Sequence, residues 1–183
     1  SAIEIHAITA TGLPSLQSTL PAAQAQWLAA SGFAAKPGGH VLLPGTDGGV
    51  GAVVAVVDPA DPVWALAALA DSLPAGVYRL AANNAIVDAS AAALGWALAW
   101  YRFDRYKSAT RPVAQWLADE ATQAVVKPLV AAVSQVRDLV NTPPNDMGPE
   151  ELSKAIHSLA DANGATVREW VGYELLAAGL TMI

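Results

Sequence analysis

Runs of valine and other apolar residues alternate along the chain with alanine-rich segments of helical length. Val41–Leu43 and Val50–Val57 predict two strands, and the glycine-rich turn 45–49 between them predicts a hairpin. Val77–Leu80 and Val113–Leu117 predict two further strands. Because helical segments separate most of these strands, the pattern predicts an α/β fold in which helices flank a mixed sheet with parallel crossovers.

Six segments predict helices, and residues suited to helix ends delimit them. The Asp-Pro pair at 61–62 predicts a helix that runs to Leu73, because a carboxylate caps the first amides and proline fits the first turn. Asp88 is expected to cap another helix that runs to Tyr106. The remaining helices are Pro21–Ala30 with a stop at Gly32, Glu120–Val140 with a kink or a later start at Pro128, Pro149–Gly164, and Tyr173–Ala178.

The helix predicted over 88–106 has apolar residues on two sides. Its two stripes consist of Leu94, Leu98 and Tyr101, and of Trp96, Trp100 and Phe103. We expect one side to pack on the sheet and the other to meet a second domain or a second subunit.

A change of character near residue 141 predicts a domain boundary. Asn141–Asp146 contains two prolines together with Asn and Asp, which favour turns over regular structure. Residues 1–140 are therefore interpreted as one α/β domain that ends in a long helix. Residues 141–183 are interpreted as the beginning of a second α/β domain, with a strand at Ala165–Trp170.

Composition and charge exclude several classes of protein. The chain has 10 basic and 16 acidic residues, a net charge of −6 and no cysteine, so thiolate sites and disulfides are excluded. An overall negative field does not favour nucleic acid. No apolar run reaches the ~20 residues of a membrane span, and the N-terminus lacks the features of a signal peptide. We expect a soluble, cytoplasmic protein with no membrane partner.

Glycines and histidines do not form the motifs of a phosphate or metal site. The glycines at 45, 48, 49 and 51 precede a strand and have no lysine beside them, so a hairpin turn is favoured over a phosphate loop. The three histidines, His6, His40 and His157, have no metal-ligand spacing. The charges around His157, at Glu150, Glu151 and Lys154, are typical of a solvated helix face.

A basic and aromatic cluster spans residues 100–111. It consists of Arg102, Arg105, Lys107 and Arg111, interleaved with Trp100, Tyr101, Phe103 and Tyr106. Such interleaving can bind single-stranded nucleic acid, but cations also gather at helix C-termini, and the second interpretation is favoured. Asn83 and Asn84 follow a predicted strand and could contact a nucleotide, although turn capping is the usual role of Asn there.

Two stretches resemble the leucyl aminopeptidase family of metallopeptidases, the M17 peptidases. Gly95–Lys107 is similar to the helix ending in Tyr-x-Phe-x-x-Tyr-Lys in that family's N-terminal domain. Arg137–Leu152, with its Asn-Thr-Pro-Pro-Asn-Asp-Met-Gly core, is similar to the segment where the family's chains enter the catalytic domain. Gly172–Ile183 continues the match, whereas residues 1–87 match only in architecture.

The resemblance implies a macrodomain-like N-terminal domain over 1–140 and the truncated beginning of the catalytic domain over 141–183. It also implies a parent enzyme that removes N-terminal residues from peptides with two divalent metal ions, zinc or manganese. The family's metal-binding motifs, such as Asn-Thr-Asp-Ala-Glu-Gly-Arg, do not occur in these 183 residues. No catalytic, cofactor-binding or metal-binding residue is therefore assigned to this chain.

Two functions follow for the segment itself. As part of the enzyme, it would be non-catalytic and would serve assembly of a homo-oligomer, the family's hexamer, and access to the active sites. Alternatively, it would be a nucleic-acid or nucleotide-binding module that uses the cluster at 100–111.

Overall fold

The computed structural model describes residues 2–82, 84, 86–107 and 113–181. The chain divides into two compact units, Ser1–Val136 and Arg137–Ile183. The first unit contains the sheet, and the second is helical in its described residues.

The described residues of the first unit form one five-stranded sheet. Its strands are β1 (Ile3–Ile8), β2 (His40–Pro44), β3 (Val50–Val56), β4 (Gly76–Leu80) and β5 (Ala114–Trp116). In the spatial order β2-β3-β1-β4-β5, only β2 and β3 pair antiparallel, as expected for a hairpin. The mixed sheet predicted from the sequence is therefore confirmed.

The central strand, β1, was absent from the sequence prediction. Its signal is the alternation of Ile3, Ile5 and Ala7 with Glu4 and His6, which is the two-residue period of a strand. Ile5 is fully buried, and the strand pairs in parallel with both β3 and β4.

Helices cover both faces of the sheet. Those of the first unit are α1 (Leu13–Gln17), α2 (Ala22–Ala30), α3 (Leu69–Ser72), α4 (Ala89–Trp100) and the greater part of α5 (Glu120–Asn141). Leu16 of α1 and Leu28 of α2 pack with Ile8 on one face. Leu69 of α3 and Trp96 of α4 pack with the opposite face. Helices following β1 and β4 therefore lie on opposite faces of the sheet.

Two predicted helices are shorter in the structure. The prediction of a helix over 61–73 was wrong for its first half. Residues 62–68 form turns, and within this range only α3 is helical. The helix predicted to Tyr106 ends at Trp100, since Tyr101 leaves the helical conformation with φ of −53° and ψ of 135°. The Arg102 guanidinium donates to the carbonyl oxygens of Ala99 and Tyr101 at 3.1 and 2.8 Å. Tyr101 and Phe103 therefore lie beyond the helix, and the two predicted stripes do not continue onto them.

Other helix ends agree with the sequence. The Asp88 carboxylate accepts a hydrogen bond from the Ala91 amide at 2.7 Å, as predicted for a cap. The Asp119 carboxylate likewise accepts a hydrogen bond from the Thr122 amide at 2.7 Å, and this bond lowers the pKa of Asp119. Pro128 lies inside α5.

The described part of the second unit contains α6 (Pro149–Asn163) and α7 (Tyr173–Ala177), as well as the end of α5. Gly164 ends α6 in the left-handed conformation, with φ of 66°. The strand predicted at Ala165–Trp170 is wrong, because this segment has no regular structure. The described residues of the second unit contain no strand that could pair with it, and a lone strand would leave its amides and carbonyls unpaired.

Candidate functional site

A cleft opens at the carboxyl ends of β1 and β4. It has a volume of about 250 Å³. Its described lining residues are His6, Ala7, Ile8, Gly12, Ser15, Leu16, Thr19, Ala81, Asn84 and Ile86. The strands position them: β1 and the turn into α1 supply one wall, and the connection from β4 to α4 supplies the other. The cleft combines an apolar floor with a few polar groups, which is the usual character of a small-molecule site.

Asn84 lines this cleft and is held by two hydrogen bonds. Its amide nitrogen donates to the Val87 carbonyl oxygen at 2.8 Å, and its backbone amide donates to Ala81 at 3.0 Å. Its side-chain oxygen is buried and has no hydrogen-bond partner among the described residues. Asn83, which the sequence also singled out, lies outside the described residues.

His6 lies on β1 beside the same cleft. Burial lowers the pKa of its imidazole, and the nearby carboxylate of Glu4 opposes this shift in part. The neutral form of His6 is therefore favoured at neutral pH, with one nitrogen as donor and the other as acceptor. Glu4 itself pairs with Arg79 of β4 at 2.7 Å, directly across the two strands.

The basic and aromatic cluster is engaged within the protein. Arg102 holds both carboxylate oxygens of Asp71 at 2.5 and 2.6 Å, in addition to its bonds with the carbonyls at the end of α4. The guanidinium of Arg105 lies 5.6 Å from the ring centre of Tyr106, which in turn packs against Phe103. This arrangement agrees with the interpretation of Arg102 as a helix-end cation and gives no support to a nucleic-acid site. Arg111 lies outside the described residues.

The glycine-rich segment forms the predicted hairpin turn. Gly48 has a φ of 81°, and the Gly45 amide donates to the Gly49 carbonyl at 2.8 Å. The Asp47 carboxylate accepts from the Gly49 amide at 3.0 Å, which closes the turn on itself.

The three histidines lie on separate elements, β1, β2 and α6. His157 approaches the Glu169 carboxylate at 3.4 Å, and Lys154 pairs with Glu150 at 2.7 Å one helical turn apart. Among the described residues, no group of three or more His, Asp or Glu side chains is arranged to hold a metal ion. In the part of the chain that the structure describes, no helix is both long and apolar enough to cross a membrane.

Comparison with known proteins identifies the first unit. The family model described as "M17 aminopeptidase, N-terminal domain" matches residues 3–118. A "Probable cytosol aminopeptidase" of Leifsonia xyli subsp. xyli (strain CTCB07) is 33% identical over 169 residues, which cover 83% of this chain and 34% of the relative.

Solved structures extend the similarity to nearly the whole chain. A cytosol aminopeptidase from Coxiella burnetii is 28% identical with a TM-score of 0.87, over 96% of this chain and 39% of that one. The bottromycin maturation enzyme BotP, in complex with Mn, is 26% identical with a TM-score of 0.73, over 98% of this chain and 40% of that one. The chain thus spans between a third and two fifths of the length of these proteins. It belongs to the M17 aminopeptidase family and contains that family's N-terminal domain.

Proposed function

We propose that this chain is the non-catalytic, N-terminal portion of an aminopeptidase that removes N-terminal residues from peptides with two divalent metal ions. The observation that carries the proposal is the match of residues 3–118 to the N-terminal domain of a peptidase family. The structural similarity to a cytosol aminopeptidase runs beyond that match over nearly the whole chain. This extent supports our interpretation of residues 141–183 as the beginning of the catalytic domain.

The described residues do not fit the two metal ions that the family implies. A dinuclear site needs several carboxylates or imidazoles converging on one point, and no three such groups converge in this part of the chain. The relative BotP was solved with Mn, which supports manganese as the cofactor of the complete enzyme; zinc is the alternative that the family resemblance implies. The ligands are therefore proposed to lie outside the residues described in this chain.

Assembly into a homo-oligomer, with control of access to the active sites, is the proposed role of this portion. An apolar stripe on α5 supports it, formed by Val125, Leu129, Val136 and Val140, all of which are exposed. Their spacing places them on one side of the helix, and a contiguous exposed apolar patch is typical of an interaction surface. The proposed location is the cytoplasm, in line with the relatives named cytosol aminopeptidases.

The catalytic part of the proposal is tested by comparing two purified proteins. We expect the 183-residue chain not to hydrolyse leucyl amides with zinc or manganese added, and the complete reading frame to do so under the same conditions. Turnover that follows the short chain through purification would contradict its non-catalytic role. Inactivity of the complete protein on a panel of aminoacyl amides would contradict the assignment as an aminopeptidase.

The assembly role has its own test in the complete protein. Leu129→Glu places a charge in the apolar stripe, and Ala131→Glu places the same charge at an exposed position about 200° away on the helix. Light scattering after size exclusion should show smaller particles for Leu129→Glu and an unchanged mass for Ala131→Glu. Equal masses for all three proteins would exclude α5 from the oligomer interface.

A further inference from the structure

The sequence contains a single Asn-Gly pair, Asn163–Gly164, and the structure places it at the end of α6. A backbone amide nitrogen can attack the side-chain carbonyl carbon of the asparagine that precedes it. Glycine hinders this attack least, because it has no Cβ and the widest choice of backbone conformations. Both residues of the pair are exposed to water. The sequence therefore supplies the reacting groups, and the structure controls how often they meet.

The last turn of α6 is held by few backbone bonds. The Gly164 amide is shared between the carbonyl oxygens of Ala160 and Asp161, and its distance to the Asp161 oxygen is 3.4 Å. The Ala165 amide donates to the Ala160 oxygen at 2.9 Å, and the segment that follows has no regular structure. Helix ends of this kind open at little cost in free energy. The pair therefore leaves the helical conformation without unfolding of the second unit.

The closed turn keeps the reacting groups apart. The Asn163 side-chain nitrogen donates to the Leu159 carbonyl oxygen at 2.8 Å, one helical turn earlier in the chain. Gly164 lies on the opposite, C-terminal side of Asn163, and its amide points back into the helix. Opening of the last turn releases both bonds together. The reaction of this pair is therefore controlled by the opening of the helix end.

We propose that Asn163 is a site of spontaneous deamidation, at a rate set by the opening of the last turn of α6. The Gly164 nitrogen bonds to Cγ of Asn163, its proton passes to the departing side-chain nitrogen, and ammonia leaves behind a cyclic imide. Water then adds to either carbonyl carbon and breaks its bond to the Gly164 nitrogen, which yields aspartate or isoaspartate. Water is the one co-reactant.

The product weakens the turn in which it forms. A carboxylate at position 163 cannot donate to the Leu159 carbonyl oxygen, so one bond at the helix end is lost. Its negative charge also lies at the negative end of the dipole of α6, where anions are unfavourable. Isoaspartate in addition lengthens the backbone by one carbon. The change is therefore irreversible and favours further opening of the helix end.

The experiment follows the 183-residue chain over time at physiological temperature and neutral pH, with digestion by trypsin. Cleavage after Lys154 and Arg168 releases residues 155–168, in which Asn163 is the only asparagine. We expect this peptide to acquire the mass of an amide converted to a carboxyl group and to elute as two products. The conversion should be slower than in a synthetic peptide of the same sequence. Asn163→Gln should show none over the same period, because glutamine has to close a larger ring.

A matched pair of variants tests the control by the helix end. Ala162→Gly leaves the reacting pair intact but weakens the last turn, since glycine is a poor helix former, and should speed the conversion up to about fivefold. Ala131→Gly makes the same change at an exposed position of α5 and should leave the rate unaltered. An intact Asn163 after the synthetic peptide has reacted completely would overturn the proposal. Equal rates in the chain and in the synthetic peptide, or in both glycine variants, would overturn the control by the turn.

Discussion

Gly95 lies so close to the carbonyl oxygen of Val63 that a Cβ on Gly95 would stand 1.6 Å from that oxygen. The contact joins α4 to the turns that precede α3. Val63 lies in the part of the predicted helix 61–73 that forms turns in the structure. The Ala67 amide, which would bond to Val63 in an α-helix, donates instead to the Trp64 oxygen at 3.2 Å.

The first prediction follows from this close approach. Gly95→Ala should lower the free energy of unfolding by about 3 kcal/mol, the upper end of the range for overpacking, because the obstacle is backbone and cannot rotate away. Gly49→Ala is the matched control, since it makes the same chemical change in an exposed turn and meets only the flexible Asp47 carboxylate. Urea denaturation of both variants measures the difference, and equal midpoints would contradict the close packing.

Local patterns in the sequence predicted several strands and one helix cap, but they did not predict features that depend on contacts between distant residues, such as Gly95 and Val63. Strands at 41–43, 50–57 and 77–80 followed from apolar runs and turn residues, since both signals are local. The cap at Asp88 was local as well and was found. The end of α4 at Trp100 was missed. Arg102 there bonds to the Ala99 carbonyl and to Asp71, 31 positions away, and no local pattern shows a contact over that distance.

The candidate site was likewise predicted only in the part that a local pattern shows. His6 and Asn84 lie 78 positions apart in sequence and meet only because β1 and β4 are neighbours. Asn84 was noted as a residue after a strand, but β1 was not predicted, so the second wall of the cleft could not be placed. Reading the alternation of Ile3, Ile5 and Ala7 as a strand would have supplied it.

The pairing of Arg102 with Asp71 yields a second prediction. Both side chains are partly exposed, so their coupling in a double-mutant cycle of Arg102→Gln and Asp71→Asn should be about 0.5–1 kcal/mol. Added salt should reduce the coupling because exposed charges are screened. A coupling of zero at low salt would show that Arg102 acts through its helix-end carbonyl bonds alone.

The same arginine separates the helix-end role from nucleic-acid binding. We expect the chain to bind single-stranded DNA no more tightly than about 10⁻⁴ M, the weak end of non-specific binding. Replacing Arg102 and Arg105 together by Gln should leave this affinity unchanged. Gel-shift assays at two salt concentrations provide the measurement, and micromolar binding that the double variant abolishes would restore the nucleic-acid alternative.

His6 leads to a prediction about pH. Burial lowers the pKa of its imidazole in the folded state below the ordinary value of 6.5. As the pH falls below that value, the unfolded chain therefore binds more protons than the folded chain, and stability is lost. We therefore expect the free energy of unfolding of the unaltered chain to fall more steeply, as the pH is lowered from about 7.5, than that of His6→Gln. Parallel pH profiles would show that His6 titrates alike in both states.

The last prediction concerns the boundary proposed near residue 141. The second unit, Arg137–Ile183, has no strand among its described residues, and α6 exposes Leu152, Ile156 and Leu159 on one side. A unit this small buries too little apolar surface to resist local opening, because domains near ~40 residues need additional support to fold alone.

Limited proteolysis of the 183-residue chain should therefore cut first between Asn141 and Gly148, where the chain forms an exposed turn closed by an Asp146–Pro143 backbone bond of 2.9 Å. Thermolysin suits the measurement, because Met147 offers an apolar side chain there and proline excludes cleavage at 143 and 144. Mass spectrometry should identify a resistant fragment ending near residue 140, held together by the sheet and its two cores. A resistant fragment that extends through α6 would place the boundary after Gly164 and contradict the interpretation of residues 141–183 as the beginning of another domain.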